Sequence, residues 1–401
     1  MWRKVFWLLL AVFALALVAG CKKGEAPAEA GPIKIGAIFD LTGPTSDVGT
    51  PYAEGIKGYV EWLNAQGGIN GRKIELLSSD YGYKVDVAEQ LYSQFVQQGI
   101  VAFQGWGTGD TEALRSRIAA DQIPFMSASY SHVLGNPKEA PYNFLVGTSY
   151  SHQAVIALQW IMDDWKAQGK EGMPKVAIVH HDSPFGRSPV ADAEAFAKQN
   201  GIEIMALAMP KGATDYTAEL AQIQDFGASY IIIHTVSSPA AVFVKNIRAQ
   251  GLSDKFKVIN LNWCSDEIFI NLAGDAAEGV YMVQPFTPPS SPVAAHKAMD
   301  EFLKGKGSSL EEKGLHFAQG WITMDIMVAG IKKVLEEGKE LTGPNIKAAL
   351  ETLQNYDTGG MTYPISFSPD DHWGNKGTHI YVVENGQMKR VTQDFIEATY
   401  P

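Results

Sequence analysis

The chain has 401 residues, 46% of them hydrophobic, with 44 acidic against 33 basic side chains and a formal net charge of -11. That length fills two domains of ordinary size, and the acidic balance excludes a nucleic-acid partner. It places no limit on small solutes, whose recognition is local.

Arg3 and Lys4 precede an unbroken apolar run from Val5 to Ala19, the charged and apolar regions of a secretory leader. The run is shorter than the roughly 20 residues of a spanning helix and ends in Val18-Ala19-Gly20-Cys21, which resembles the bacterial lipobox. That resemblance implies a leader over 1–21 that is removed, and acylation of Cys21 as a lipid anchor to the membrane. Residues 22–32 carry no large apolar side chain and read as a flexible tether. Loss of the leader removes Arg3 and Lys4 and takes the net charge to -13. Cys264 is then the remaining thiol, so packing alone holds the fold.

From Ile33 onward, short apolar runs alternate with segments of helical period, the pattern of βαβ units and a mostly parallel sheet. Ile33–Phe39 is the first strand, and Tyr52, Ile56, Tyr59, Val60 and Leu63 mark a helix over about 51–66. Strands follow at Lys73–Leu77, Ile100–Phe103 and Ile123–Ser127, with helices between them. Past Val146 the pattern restarts with a helix carrying Ala154, Leu158, Ile161 and Trp165, then strands at Val176–Val179, Ile202–Ile204, Tyr230–Ile233 and Phe256–Ile259. Val280–Val283 and the helical segments after it read as packing back on the first half. The fold class is therefore α/β, with two doubly wound Rossmann-like lobes joined by a multi-strand hinge. Lobe 1 takes 33–148 with 278–353, and lobe 2 takes 149–277 with 354–401.

Three motifs stand in a telling order: Ile35-Gly36-Ala37 running to Leu41-Thr42-Gly43-Pro44, then Gly67-Gly68-Ile69-Asn70-Gly71-Arg72-Lys73-Ile74-Glu75, then Leu272 to Val280. In this order the chain resembles the type I periplasmic binding proteins of the branched-chain amino acid and amide transport group, over essentially its whole mature length. The resemblance implies a small-molecule ligand in a cleft between two lobes and delivery to the permease subunits of an ABC transporter. An extracytoplasmic sensor for amides or aromatic acids is the alternative on the same fold.

In open α/β sheets the crevice lies beyond the carboxyl ends of the strands, so the candidate loops follow Phe103, Ser127, Val179, Ile233 and Ile259. By resemblance, the loop Trp106-Gly107-Thr108-Gly109-Asp110 opens a helix whose N-terminus grips a ligand carboxylate. Gly109 stands where amino acid binders carry a serine, and Asp110 is also placed to cap the helix itself. Ser129 and Ser131 are candidate hydroxyl donors, with Tyr130 between them. Where the family holds an α-ammonium group with an acid and a tyrosine, this chain has Asn262 and Val236, and an amide does not neutralise a buried cation. Tyr150, His152, Phe185 and Trp263 complete an aromatic, mostly neutral pocket. His180-His181-Asp182 does not make a metal site, because adjacent strand residues face opposite ways. No His-Glu-x-x-His, Cys-x-x-Cys or Gly-x-Ser-x-Gly motif occurs. The reading is a binder with no cofactor, not an enzyme.

Overall fold

The computed structural model describes residues 31–399. The leader, Cys21 and most of the tether lie outside the described residues. Among the described residues no helix is long and apolar enough to cross a membrane.

Two sheets organise the chain. The first is parallel, with β2 (Ile74–Asp80), β1 (Ile33–Phe39), β3 (Ala102–Gly105), β4 (Phe125–Ser127) and β5 (Asn143–Phe144) side by side in that order. Strand β1 is buried on both faces except at Lys34, as expected of a central strand covered by helices on each side. Those helices are α1 (Ser46–Ala65), α2 (Val85–Gln97) and α3 (Thr108–Asp121). The apolar stripe read from Tyr52 to Leu63 is the buried face of α1, which begins a turn earlier than the pattern suggested.

The chain then crosses to a second layer through α4 (Tyr150–Ala167). Here β6 (Lys175–His181) lies between β7 (Glu203–Met209) and β8 (Tyr230–His234), followed outward by β9 (Lys257–Asn260) and β10 (Tyr281–Gln284). The helices here are α5 (Pro184–Arg187), α6 (Val190–Gln199), α7 (Thr217–Phe226), α8 (Ser237–Ala249) and α9 (Glu267–Ala273). Strand β10 corrects one expectation: it belongs to the second sheet, with Tyr281 paired to Ile259 and Met282 to Asn260, and does not join the first. A four-residue apolar run names no partner, and Met282 buries its side chain with Val258 and Tyr381 in the second core.

The helices after β10 do return to the first layer. They are α10 (His296–Lys304), α11 (Leu310–Glu336) and α12 (Gly343–Leu350), and α11 packs along α1. A Cβ on Gly55 would lie 2.0 Å from the Phe317 carbonyl oxygen, and one on Gly320 would lie 2.1 Å from that of Tyr52, so two glycines let the helix backbones touch. Helix α11 breaks at Gly314, whose φ of +75° suits glycine. A third crossing leads to β11 (Gly377–Glu384) and its antiparallel neighbour β12 (Gln387–Arg390), with β13 (Ile396–Glu397) pairing the start of β11. The three crossings run side by side. Leu145 N–H donates to the His372 carbonyl at 3.0 Å, Thr148 Oγ1 to that of Gly377 at 2.8 Å, and Asn375 Nδ2 to that of Pro285 at 3.3 Å.

Candidate functional site

The loops at the carboxyl ends of both sheets meet. Thr45 follows β1, Tyr83 follows β2, Trp106, Gly107 and Thr108 follow β3, and Ala128 follows β4. From the other side come Tyr150 at the head of α4, Phe185 after β6, Val236 after β8 and Trp263 after β9. These ten residues enclose an inner cavity of about 20 Å³, room for a water or two. None of them is charged. A solute the size of an amino acid enters only if the rings move apart.

Each ring is held from behind. The Asp40 carboxylate accepts from the backbone N–H of Gly43 (2.6 Å) and Thr45 (2.9 Å) and from the Thr45 hydroxyl (2.6 Å), and Thr45 Oγ1 in turn accepts from Trp106 Nε1 at 2.8 Å. Trp263 meets Trp106 edge-on at 5.1 Å across the two layers, and its Nε1–H donates to the Tyr150 hydroxyl at 2.9 Å. Burial raises the Tyr150 hydroxyl above its ordinary value, so it stays protonated and donates to the Ala128 carbonyl at 3.2 Å.

Trp263 also stacks on His316 at 5.0 Å and on Tyr130 at 6.0 Å. Gln319 Nε2 donates to the Tyr130 hydroxyl at 2.7 Å, which leaves its Oε1 to accept from His316 Nδ1 at 2.8 Å; His316 Nε2 meets Asp266 at 2.9 Å. Both ring nitrogens therefore donate. Burial alone would depress the His316 pKa, but the Asp266 carboxylate and these bonds outweigh it and raise it, so an imidazolium supports the indole.

The sequence-read residues divide. Trp106, Thr108, Tyr150, Phe185, Val236 and Trp263 line the inner cavity together. Tyr130 does not: its ring is packed between Trp263 and Tyr150. Ser129 spends its hydroxyl on Thr108 at 2.7 Å, and Ser131 donates to Glu112 at 2.6 Å while accepting from Ser188 of the second layer at 3.2 Å. Gly109 faces Pro184. His152 lies away from the cavity, beside His132, Trp373 and Lys376. Asn262 is fully buried behind the cavity, its N–H donating to Gln153 Oε1 at 3.1 Å and its carbonyl accepting from Gln284 at 3.1 Å.

Asp110 sits in the first turn of α3, beneath Gly107, and accepts from the Tyr81 hydroxyl at 2.9 Å. Burial pushes its carboxyl up to about 7, against the hydrogen bonds that hold it down. Two further acids on the loops of the second layer are occupied. Asp182 pairs with Arg187 at 3.0 Å, and Asp266 accepts from Ser237 Oγ (2.5 Å), Phe269 N–H (2.7 Å) and His316.

Gly107 and Ala128 line the cavity from candidate loops without having been singled out as site residues, and two more lining residues lie on loops that were not considered. Thr45 and Tyr83 stand on the loops after β1 and β2, which were not among the candidate loops. Tyr83 has a φ of +59°, a strained geometry for a tyrosine, and follows Gly82 at +58°. The Gly82 turn directly after a strand is the signal that pointed there.

Tyr83 also borders an outer cavity of about 480 Å³ at the mouth of the same cleft. A further contact crosses between layers nearby: Asp47 of α1 accepts from the backbone N–H (2.9 Å) and hydroxyl (2.6 Å) of Ser238 at the start of α8. Burial raises the Asp47 carboxyl above its usual range, partly offset by these two bonds.

Comparison with known proteins places this architecture. Residues 32–387 match the model of the family described as "Periplasmic binding protein". The leucine-specific-binding protein of Salmonella typhimurium is 24% identical over 307 residues, covering 75% of this chain and 78% of that protein. A branched chain amino acid ABC transporter protein from Thermus thermophilus, solved with bound valine, superposes with a TM-score of 0.86 at 27% identity, over 92% of this chain and 98% of that one. An ABC transporter substrate binding protein from Aeropyrum pernix gives a TM-score of 0.82 at 27% identity, over 92% and 96%. Such proteins bind solutes outside the cytoplasm and are not enzymes. With two α/β layers, three crossings and a cleft between facing loops, the chain belongs to the periplasmic binding protein family, in its type I form.

Proposed function

We propose that this chain is a lipid-anchored solute-binding component of an ABC importer, which captures a small polar or aromatic solute by closing two lobes, one around each sheet, over the cleft. Trp106, Thr108, Tyr150, Phe185, Val236 and Trp263, joined by Thr45 and Tyr83, contact the solute or the shell directly around it. One observation carries the ligand class: the inner cavity is walled by aromatic rings with no charged side chain among the described residues lining it. Asp182 and Asp266 are engaged elsewhere, and Asp110 gives one oxygen to the Tyr81 hydroxyl while the other is buried without a partner, burial raising the carboxyl to about 7 and toward its neutral form. An α-ammonium group or a carboxylate buried against this wall would go unpaired, at a cost of several kcal/mol, so a solute that presents a neutral group to it is favoured over leucine or valine.

The test is a melting-temperature screen with leucine, valine, isovaleramide, benzamide, 3-phenylpropionate and its amide. A ligand at 100 times its dissociation constant stabilises by about 2.7 kcal/mol. Whichever solute raises the melting temperature is then expected to lower the radius of gyration in small-angle scattering, because lobes joined by three side-by-side crossings close by rotation. Superimposable curves with and without a saturating solute count against the closure mechanism.

Anchoring has its own test. Dual or multiple acyl chains hold a protein to a bilayer where a single chain does so marginally, and Cys21 stands directly behind Val18-Ala19-Gly20. Replacing Cys21→Ser is expected to move the protein from the membrane fraction to the soluble fraction, and unchanged membrane association refutes the anchor.

A further inference from the structure

The inner cavity is too small for any solute as it stands, whereas the outer one has the volume of a true ligand pocket. The two adjoin, because Tyr83 lines both. The outer walls are flat or apolar: Pro44 and Tyr83 from the first layer, and Met209, Pro210, Tyr216 and Val242 from the second. Rigid rings with a thioether among them suit a planar aromatic body better than a flexible chain. Ser183 and Ser238 also line it but are bonded to His181 and Asp47, which leaves two polar groups open to a solute. Thr235, fully buried, has a hydroxyl with no hydrogen-bond partner in the protein, and it lines this cavity. Lys211 stands at the rim and is the one residue lining either cavity, among the described residues, that carries a formal charge at neutral pH. His181 beside it is neutral there, its pKa lowered to about 4 by burial and by the Lys211 ammonium. Its Nδ1 is engaged with Ser183 Oγ at 2.8 Å.

We infer that the outer cavity extends the ligand room of this cleft beyond the inner wall of Trp106, Tyr150 and Trp263, and that its solute is an aryl-substituted monocarboxylic acid, with the ring between Tyr83, Tyr216 and Met209 and the carboxylate at Lys211. This rests on the solute-binding reading above and names the substrate class within it. An acid placed this way avoids the α3 N-terminus, where Asp110 already occupies the first turn. It also explains why the cleft needs no acid for an ammonium group. A ring hydroxyl would complete the unpartnered Thr235.

The experiment is calorimetry on the full mature chain with 3-phenylpropionate, 3-(4-hydroxyphenyl)propionate, 3-phenylpropionamide and isovaleramide. The wild type is expected to bind 3-phenylpropionate about tenfold more tightly than its amide, the margin of a partly exposed charge-assisted hydrogen bond. Lys211→Gln should erase that preference while leaving the amide within about twofold. Val242→Trp, which fills the cavity, should weaken acid and amide alike. Equal binding of acid and amide to the wild type, or a preference that survives Lys211→Gln, overturns the inference. If isovaleramide binds and neither aryl compound does, the inference falls and the solute-binding reading stands. If no member of this set or of the screening panel binds, both fall.

Discussion

Replacing Gly320→Val is expected to cost about 4 kcal/mol of stability or more, the range reserved for core overpacking against immovable neighbours. The atoms a side chain would strike are backbone: the Tyr52 carbonyl oxygen at 2.1 Å and the Ile56 nitrogen at 3.2 Å from a Cβ. No rotamer relieves that contact, so α1 and α11 must separate. Their separation would pull apart the edge-on pair of Tyr59 and Trp321 at 5.4 Å and the bond that Tyr59 donates to Asp325 at 2.7 Å. Gly305→Ala is the matched control, since its Cβ would meet no atom closer than the Phe302 carbonyl at 3.3 Å. Chemical denaturation of both variants decides the matter: a Gly320→Val midpoint equal to wild type shows that the helix pair is not the seam of the first layer.

Trp263→Ala is expected to abolish measurable binding, a loss of at least about 100-fold, for whichever solute the melting-temperature screen identifies. The indole is 3% exposed and is shared by both layers, touching Trp106 and Tyr52 on one side and the Tyr130 and His316 rings on its faces. Its removal deletes the wall of the inner cavity, frees the Tyr150 hydroxyl from its donor, and leaves the His316 imidazolium facing empty space. Truncating a buried Trp also costs about 3–5 kcal/mol of stability, so binding is compared with that of Trp160→Ala. Trp160 packs on Tyr281 at 4.3 Å on α4, remote from both cavities, and its loss should leave affinity within about twofold. Retained affinity in Trp263→Ala, with the fold intact by circular dichroism, contradicts the assignment of the cleft.

The sequence carried the architecture because periodicity is a local signal. The runs at Val176–Val179 and Tyr230–Ile233 are buried on both faces, and their shortness and β-branched content, set between helical segments, mark central parallel strands. Trp106, Phe185 and Trp263 were legible for the same reason: each follows directly on a strand end, where the crevice has to be. Other candidates depend on distant partners. Ser131 and Tyr130 sit on the expected loops but bond Glu112 and Gln319, 19 and 189 positions away, and Asn262 is held by its backbone N–H on Gln153, 109 positions away, while its buried side-chain amide has no partner in the protein. No local pattern reveals which polar group a hydroxyl or amide will find. Strand β10 shows the same limit for backbone pairing, since its four residues would have satisfied either sheet.

The pairing of α1 with α11 bears on how the chain reaches this structure at all. The first layer is begun by residues 33–144 but receives the helix that seals its core only when residues 310–336 arrive, after the parallel strands of the second layer. Closing so long a loop costs little equilibrium stability, about 0.6 kcal/mol per doubling of length, yet it delays folding, because distant contacts must be assembled before they reward the chain. An N-terminal half in this condition exposes the groove where Gly55 should meet Phe317 and cannot finish folding by itself. For a protein of an extracytoplasmic family this suits export: because a late helix completes the first-made core, the first half is expected to stay unfolded until most of the chain has been made.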